Sequence, residues 1–206
     1  MPASAPEGYA IVGSVVASEF FGCAKNTIRL RSGLYFDLVD PKPDQFTLRD
    51  IAGALAKTCR FGGHTPRFYS VAEHSALCAS QAMRDSLTVG EIAAIFLHDA
   101  TEAFCGDVVK PLKVMLPEYA AIEARIEKVI GQKFAVDFDR HADAIRKIDW
   151  EMLIAEKRVF FPGDSVEWAG QNQVRTIHPN IEMLSWPVAE AAFMAMAETI
   201  GLTTGD

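Results

Sequence analysis

Residues 96–111, "FLHDATEAFCGDVVKP", crowd a histidine, two aspartates and a glutamate among apolar residues. From Thr88 onward the pattern is helical: Ile92, Ile95, Phe96, Asp99, Glu102 and Ala103 fall on one face. Asp99 and Glu102 therefore interrupt a stripe that ought to be buried. His98 and Glu102, spaced four apart, are neighbours on the same predicted helix.

The same anomaly recurs on two other predicted helices. Val71, His74 and Cys78 share one face, which places His74 inside an apolar stripe, and Asp149 sits in the middle of Ile145, Ile148, Met152 and Leu153. An isolated buried carboxylate protonates, pairs, or binds a cation. No lysine shares these faces, so the expected partner is a divalent cation. A His2Asp2 set would neutralise that ion and, in an octahedral site, leave two positions for water or substrate oxygens. Each residue alone has a plainer explanation: a His-Asp dipeptide arises by chance, and a lone buried His or Asp is more often a hydrogen-bonded core residue, a cap or an ion-pair partner. Three separate helices, each bringing an ionisable group to its inner face, favour the cation.

The rest of the chain frames these helices. "NTIRLRSGLYFDLVD", from Asn26 to Asp40, carries β-branched and aromatic residues around a Ser-Gly pair and predicts a two-stranded hairpin. "PKPD" breaks the chain. Three capping boxes follow, Thr47 with Asp50, Ser70 with Glu73 and Thr88 with Glu91, and predict helices over about 48–58, 71–84 and 89–104. Pro117 and Gly131 frame a fourth helix, Asp139 opens a fifth running to about Phe160, and Pro187 to Ile200, closed by Gly201, is the last. The expected architecture is all-α, a helical bundle over 47–206 with an N-terminal extension over 1–46 that contains the hairpin, forming one compact domain. The Met and aromatic stripe of "AAFMAMAETI" is a core-facing helix surface. His141 and His178 read as exposed residues at helix ends.

At 206 residues, 50% hydrophobic and 23% charged, the chain has the composition of one globular domain. A formal charge of −7 with no basic run disfavours a nucleic-acid polymer as partner. Cys23, Cys59, Cys78 and Cys105 form no CxxC pair and read as reduced thiols in a cytoplasmic protein. The apolar opening "YAIVGSVVASEFFGCA" lacks a positive leader, since the first basic residue is Lys25, and no segment reaches the length of a membrane span.

"EHS" around His74, "HDATEAFCGDVVKPLK" from His98 and "KIDWE" around Asp149 resemble the HD-domain metal-dependent phosphohydrolases, and most closely the bacterial 5'-deoxynucleotidase branch. The resemblance covers about residues 47–160. It implies an all-helical HD-domain bundle, one divalent metal ion (Mn, Co, Fe, Ni, Mg or Zn) held by His74, His98, Asp99 and Asp149, and hydrolysis of a nucleotide phosphate ester. It places Glu102 and Asp107 as the acids that assist the chemistry, and Arg60 with Phe61 as contacts to phosphate and sugar. Phe61 stands where that branch often has tryptophan. The loop "GGHTPRFYS" is also similar to that of phage-type HD triphosphohydrolases acting on deoxynucleoside triphosphates.

In the expected mechanism the ion polarises a phosphoryl oxygen and acidifies a water molecule, while Glu102 and Asp107 orient water or move a proton. Arg60, Arg67 and Lys113 are the candidate cations for the phosphate, with a solvated surface charge as the plainer explanation for the last two. His64 protonates a leaving group or caps a turn. The expected substrate is a small-molecule nucleotide, with a (deoxy)nucleoside 5'-monophosphate ahead of a triphosphate. A third possibility is a catalytically silent HD module that binds a nucleotide, against which the intact Glu102 and Asp107 argue. The expected assembly is a homo-oligomer, a dimer being one form.

Overall fold

A computed structural model describes residues 26–202. The apolar opening, Cys23 and the last residues of the predicted bundle lie outside them. Two short strands, β1 (Thr27–Arg29) and β2 (Tyr35–Asp37), form an antiparallel hairpin with Ile28 opposite Phe36. Gly33 turns the hairpin at φ 93°, a conformation that favours glycine. The helices are α1 (Leu48–Leu55), α2 (Val71–Arg84), α3 (Val89–Leu97), α4 (Glu102–Cys105), α5 (Lys110–Lys113), α6 (Pro117–Phe134), α7 (Ala142–Phe160) and α8 (Trp186–Thr199). The described chain is mostly helical, and no helix in it is long and apolar enough to cross a membrane.

Helix α2 is the centre of the bundle and packs against α3, α7 and α8. Its inner faces are apolar: Val71, Ala72, Cys78, Ile95, Phe96, Ile148, Met152 and Phe193 are all buried. Phe96 and Phe193 bring α3 and α8 together with ring centroids 4.2 Å apart, so the "AAFMAMAETI" helix does face the core. The hairpin joins the same core, because Phe36 stacks on Phe104 of α4 at 4.0 Å and meets Phe46 edge-on at 5.7 Å.

Several predicted caps and boundaries differ from the expectation. The capping boxes of Thr47 with Asp50 and Thr88 with Glu91 form in both directions. At Ser70 only half forms: the Ser70 hydroxyl accepts from the Glu73 N–H, but the Glu73 carboxylate turns away to accept from the backbone N–H groups of Glu182, Met183 and Leu184 at 2.7–2.9 Å. Helix α6 continues through Gly131 to Phe134. That glycine is needed for close packing, since a Cβ there would lie 2.7 Å from the Val136 carbonyl. Helix α1 stops at Leu55, and α7 opens at Ala142 rather than Asp139.

The most consequential difference is at the stretch that opened the reading. The helix predicted over 89–104 ends at Leu97, and residues 98–101 form tight turns before α4 restarts at Glu102. Ala100 N–H donates to the Leu97 carbonyl and Glu102 N–H to the Asp99 carbonyl, a three-residue spacing that tightens the backbone. His98 closes α3 by donating Nδ1–H to the Ile95 carbonyl at 2.7 Å, satisfying a terminal carbonyl. The doublet therefore lies in a helix break and not on a continuous face.

Candidate metal centre

Helix α2 supplies His74, the break after α3 supplies His98 and Asp99, and α7 supplies Asp149. His74 Nε2 lies 3.4 Å from His98 Nε2, 3.3 Å from Asp149 Oδ1 and 3.6 Å from Asp99 Oδ2. His98 Nε2 lies 3.3 Å from Asp99 Oδ2 and 3.6 Å from Asp149 Oδ1. Ligand atoms of His74, His98 and Asp99 all fall within 4.8 Å of one another, a group able to hold a metal ion, and Asp149 approaches both of its imidazoles.

Hydrogen bonds behind the rings determine what these atoms are. A backbone carbonyl only accepts, so the Ile95 carbonyl puts the His98 proton on Nδ1. His74 Nδ1 faces Glu156 Oε1 at 2.6 Å. Burial would raise the Glu156 pKa, but the Arg60 and His74 charges and hydrogen bonds from His74 and Tyr69 outweigh it, so the pKa is lowered and Glu156 is an acceptor. In the neutral rings both Nε2 atoms therefore present lone pairs, facing each other and two carboxylate oxygens. Arg60 donates Nη1–H to Asp99 Oδ2 at 3.0 Å, and the Cys78 thiol, a weak donor, lies 3.4 Å from His74 Nε2.

Such a set of converging acceptors needs positive charge among them. Without a metal the charge comes from protons. Burial and Arg60 oppose protonation of His74, and burial opposes that of His98, yet Cys78, Glu156 and Asp149 raise the pKa of the first well above 6.5, and Asp99 and Asp149 that of the second. Burial likewise pushes Asp99 and Asp149 upward, but hydrogen bonds and charge from the two imidazoles hold both below the usual carboxylate range. A divalent cation does the same work with one particle. Donors about 2.0–2.2 Å from a shared ion lie roughly 3–3.5 Å apart in neighbouring pairs, and the separations found here are 3.3–3.6 Å. The residues fit a divalent ion. His74 is 0% exposed and the Asp149 side chain 38%, so the centre opens to solvent on its carboxylate side.

Glu102 and Asp107 stand beside this centre. Glu102 is buried, and its Oε2 has no hydrogen-bond partner. Burial, then the charges of Asp99 and Asp107, push its pKa up to about 9. Asp107 is half-buried and also raised, by burial first and then by Asp99.

The candidate substrate contacts are distributed unevenly. Arg60 is buried, with Nη1 on Asp99, Nη2 on Glu156 at 3.3 Å and Nε unpaired. Expected as a phosphate contact, it is also the buried cation paired with these carboxylates, and it enters from the loop before α2 rather than from the three helices. Phe61, at φ 57°, packs among Phe160, Phe161 and Trp168, and the Arg60 guanidinium lies 5.8 Å from its ring. Lys113 is held by Glu123 at 2.8 Å rather than freely solvated, and the charges of Glu102 and Asp99 act on it. His64 is exposed, and Arg67 donates to the Glu182 carbonyl at 3.2 Å, away from the four clustered residues. His178 is exposed as expected, while His141 is half-buried, with Nε2 3.1 Å from the place a Cβ on Gly90 would take.

Two residues at the centre escaped the sequence reading. Glu156 follows Asp149 by seven residues, two helical turns, and so lies on the same face of α7; that spacing is the signal that would have found it. Tyr69, whose hydroxyl donates to Glu156 Oε1 at 2.7 Å, carries no such signal.

The chain matches no protein-family model. It is 36% identical over 142 residues to the uncharacterized protein YfdR of Escherichia coli K12, an alignment that covers 68% of this chain and 76% of that protein. It is 36% identical over 114 residues to an uncharacterized protein of Rhodobacter capsulatus, covering 52% of this chain and 58% of that one. On the extent and identity of the first alignment, the chain belongs to the family of Escherichia coli YfdR.

Proposed function

We propose that the protein is a metal-dependent phosphohydrolase with an HD-domain bundle, removing phosphate from a (deoxy)nucleoside 5'-monophosphate. One observation carries the reading: four side chains from three separate segments present converging lone pairs, and a buried acid with an unpartnered oxygen stands beside them. The resemblance of "HDATEAFCGDVVKPLK" to the 5'-deoxynucleotidase branch supplies the substrate class.

In this reading His74, His98, Asp99 and Asp149 hold one divalent ion, whose charge the two carboxylates balance. A mixed nitrogen and oxygen set without thiolate suits Mn, Co, Fe or Ni. When bound, the ion polarises a phosphoryl oxygen and lowers the pKa of a water molecule. Glu102, whose pKa burial and the charges of Asp99 and Asp107 push up to about 9 in the metal-free protein, would pass a proton to the leaving oxygen, and Asp107 would orient the attacking water. Lys113 and Arg60 offset charge on the phosphate, with Arg60 also bracing Asp99. Phe61, beside the Arg60 guanidinium, is the contact for the sugar, while Arg67 is engaged with the Glu182 carbonyl and His64 is left to the solvent.

The test is a screen of nucleoside mono-, di- and triphosphates with chelator-stripped protein reloaded with single divalent ions. Orthophosphate should be released from at least one monophosphate in a metal-dependent way and abolished by EDTA. Undiminished turnover in stripped protein, or no product from any nucleotide with any ion, contradicts the proposal; tripolyphosphate as the product moves the assignment to a triphosphohydrolase.

A further inference from the structure

We infer that Glu156 is the positioning residue of the metal centre: without touching the ion, it holds the His74 ring in the tautomer and rotamer that point Nε2 at the other three ligands. The inference rests on the assignment of His74, His98, Asp99 and Asp149 as ligands.

Glu156 is 0% exposed, and three side chains bond its carboxylate. Oε1 accepts from His74 Nδ1 at 2.6 Å and from the Tyr69 hydroxyl at 2.7 Å, while Oε2 accepts from Arg60 Nη2 at 3.3 Å. Its two oxygens thus face different partners, one the ligand histidine and the other the arginine. His98 gets the equivalent restraint from a backbone carbonyl, which no side-chain mutation removes. His74 Nδ1 depends on one carboxylate, its other polar neighbour being the weakly bonding Cys78 sulfur at 3.9 Å. Because Glu156 and Asp149 lie two turns apart on the rigid α7, that helix supplies both a ligand and the group that aims another.

The division of labour separates positioning from a purely structural ion pair with Arg60. In Glu156→Gln the amide oxygen can take the place of Oε1 and keep His74 and Tyr69, while the amide nitrogen faces Arg60 and loses that bond. Glu156→Leu loses all three. Loss of an outer hydrogen bond to a ligand histidine typically costs about 10–100-fold in metal affinity.

Stripped full-length protein, titrated calorimetrically with Co2+, should bind about 10–100-fold more weakly in Glu156→Leu and less than about tenfold more weakly in Glu156→Gln. In Zn2+-loaded protein with ¹⁵N-labelled histidine, His74 should show a protonated Nδ1 and a metal-bound Nε2, in the wild type and in Glu156→Gln alike. A folded Glu156→Leu with wild-type Co2+ affinity overturns the inference. So does a His74 ring protonated on Nε2 in the wild type, a result that stands even if Glu156→Leu fails to fold. A wild-type chain that binds neither ion overturns the ligand assignment itself, a failure visible before any variant is measured.

Discussion

Two buried glutamates flank the four clustered residues and are treated in opposite ways. On the inner side, Glu156 has both oxygens filled by Tyr69, His74 and Arg60, and its pKa is lowered. On the side toward α5, Glu102 leaves Oε2 without a partner, and its pKa is pushed up to about 9. A carboxylate with both oxygens engaged is suited to holding neighbours still. One kept protonated and under-bonded is suited to handing a proton on. Both acids are buried, so burial alone does not set their opposite pKa shifts; the difference lies in hydrogen-bond satisfaction and in the sign of the neighbouring charges.

The sharpest break between the two sides is kinetic. Glu102→Ala should keep the metal and lose roughly 10²–10⁴-fold in kcat, the scale of a missing general acid. Phosphate release measured beside metal content tests this: a fully active variant removes Glu102 from the mechanism, and a metal-free one makes it a ligand.

Arg60 joins the sides, since it bridges Glu156 and Asp99. Arg60→Ala leaves both carboxylates without their cation and should cost about 3–5 kcal/mol of stability, as for other broken buried pairs, besides slowing turnover. Arg60→Lys should recover only part, because an ammonium does not span two acceptors as a guanidinium does. Chemical denaturation reads the first effect; wild-type stability in the alanine variant contradicts the bridging role.

The imidazole pair gives a pH signature. In metal-free protein both histidines have pKa values raised above 6.5, so their protonated forms stabilise the fold below that pH. The contribution is lost as pH rises through the raised folded-state values. Metal binding needs neutral rings and strengthens over the same interval. Thermal melts with and without Co2+ should therefore show a metal-free Tm that falls as pH rises above 6.5 and a metal-induced increment that grows; an increment that shrinks contradicts the ligand assignment.

Glu73 supplies the smallest expected effect. It adjoins His74 in sequence and is buried, yet it serves the backbone of residues 182–184 and not the centre. Glu73→Gln should cost about 1–3 kcal/mol, the scale of an unsatisfied buried polar group, with metal content unchanged. Loss of metal in this variant would place Glu73 in the centre after all.

The helical scaffold was legible because capping boxes and apolar periodicity are local signals; His74 and Asp149 were legible because charge on an apolar helix face is anomalous, and His98 with Asp99 through the resemblance carried by the stretch around the doublet. The helix break at 98–101 was not, since its cause is the bond of the His98 ring to the Ile95 carbonyl, and nothing in residue spacing announces it. Glu73 was misread as a capping partner because the backbone that claims it lies more than a hundred residues away. Arg60 was read as a contact for phosphate from its motif position, but its burial between Asp99 and Glu156 arises from tertiary packing of a loop against α7.

The most direct test of the central claim is elemental analysis of wild type and Asp149→Ala, purified side by side and dialysed against metal-free buffer after loading with Co2+. Asp149 is the proposed ligand from a distant helix, and its side chain lies 3.3 Å from His74 Nε2. The wild type should retain about one ion per chain and Asp149→Ala little or none, with a correspondingly smaller metal-induced rise in Tm. Equal metal in the two proteins, or none in the wild type, would contradict a centre built from His74, His98, Asp99 and Asp149.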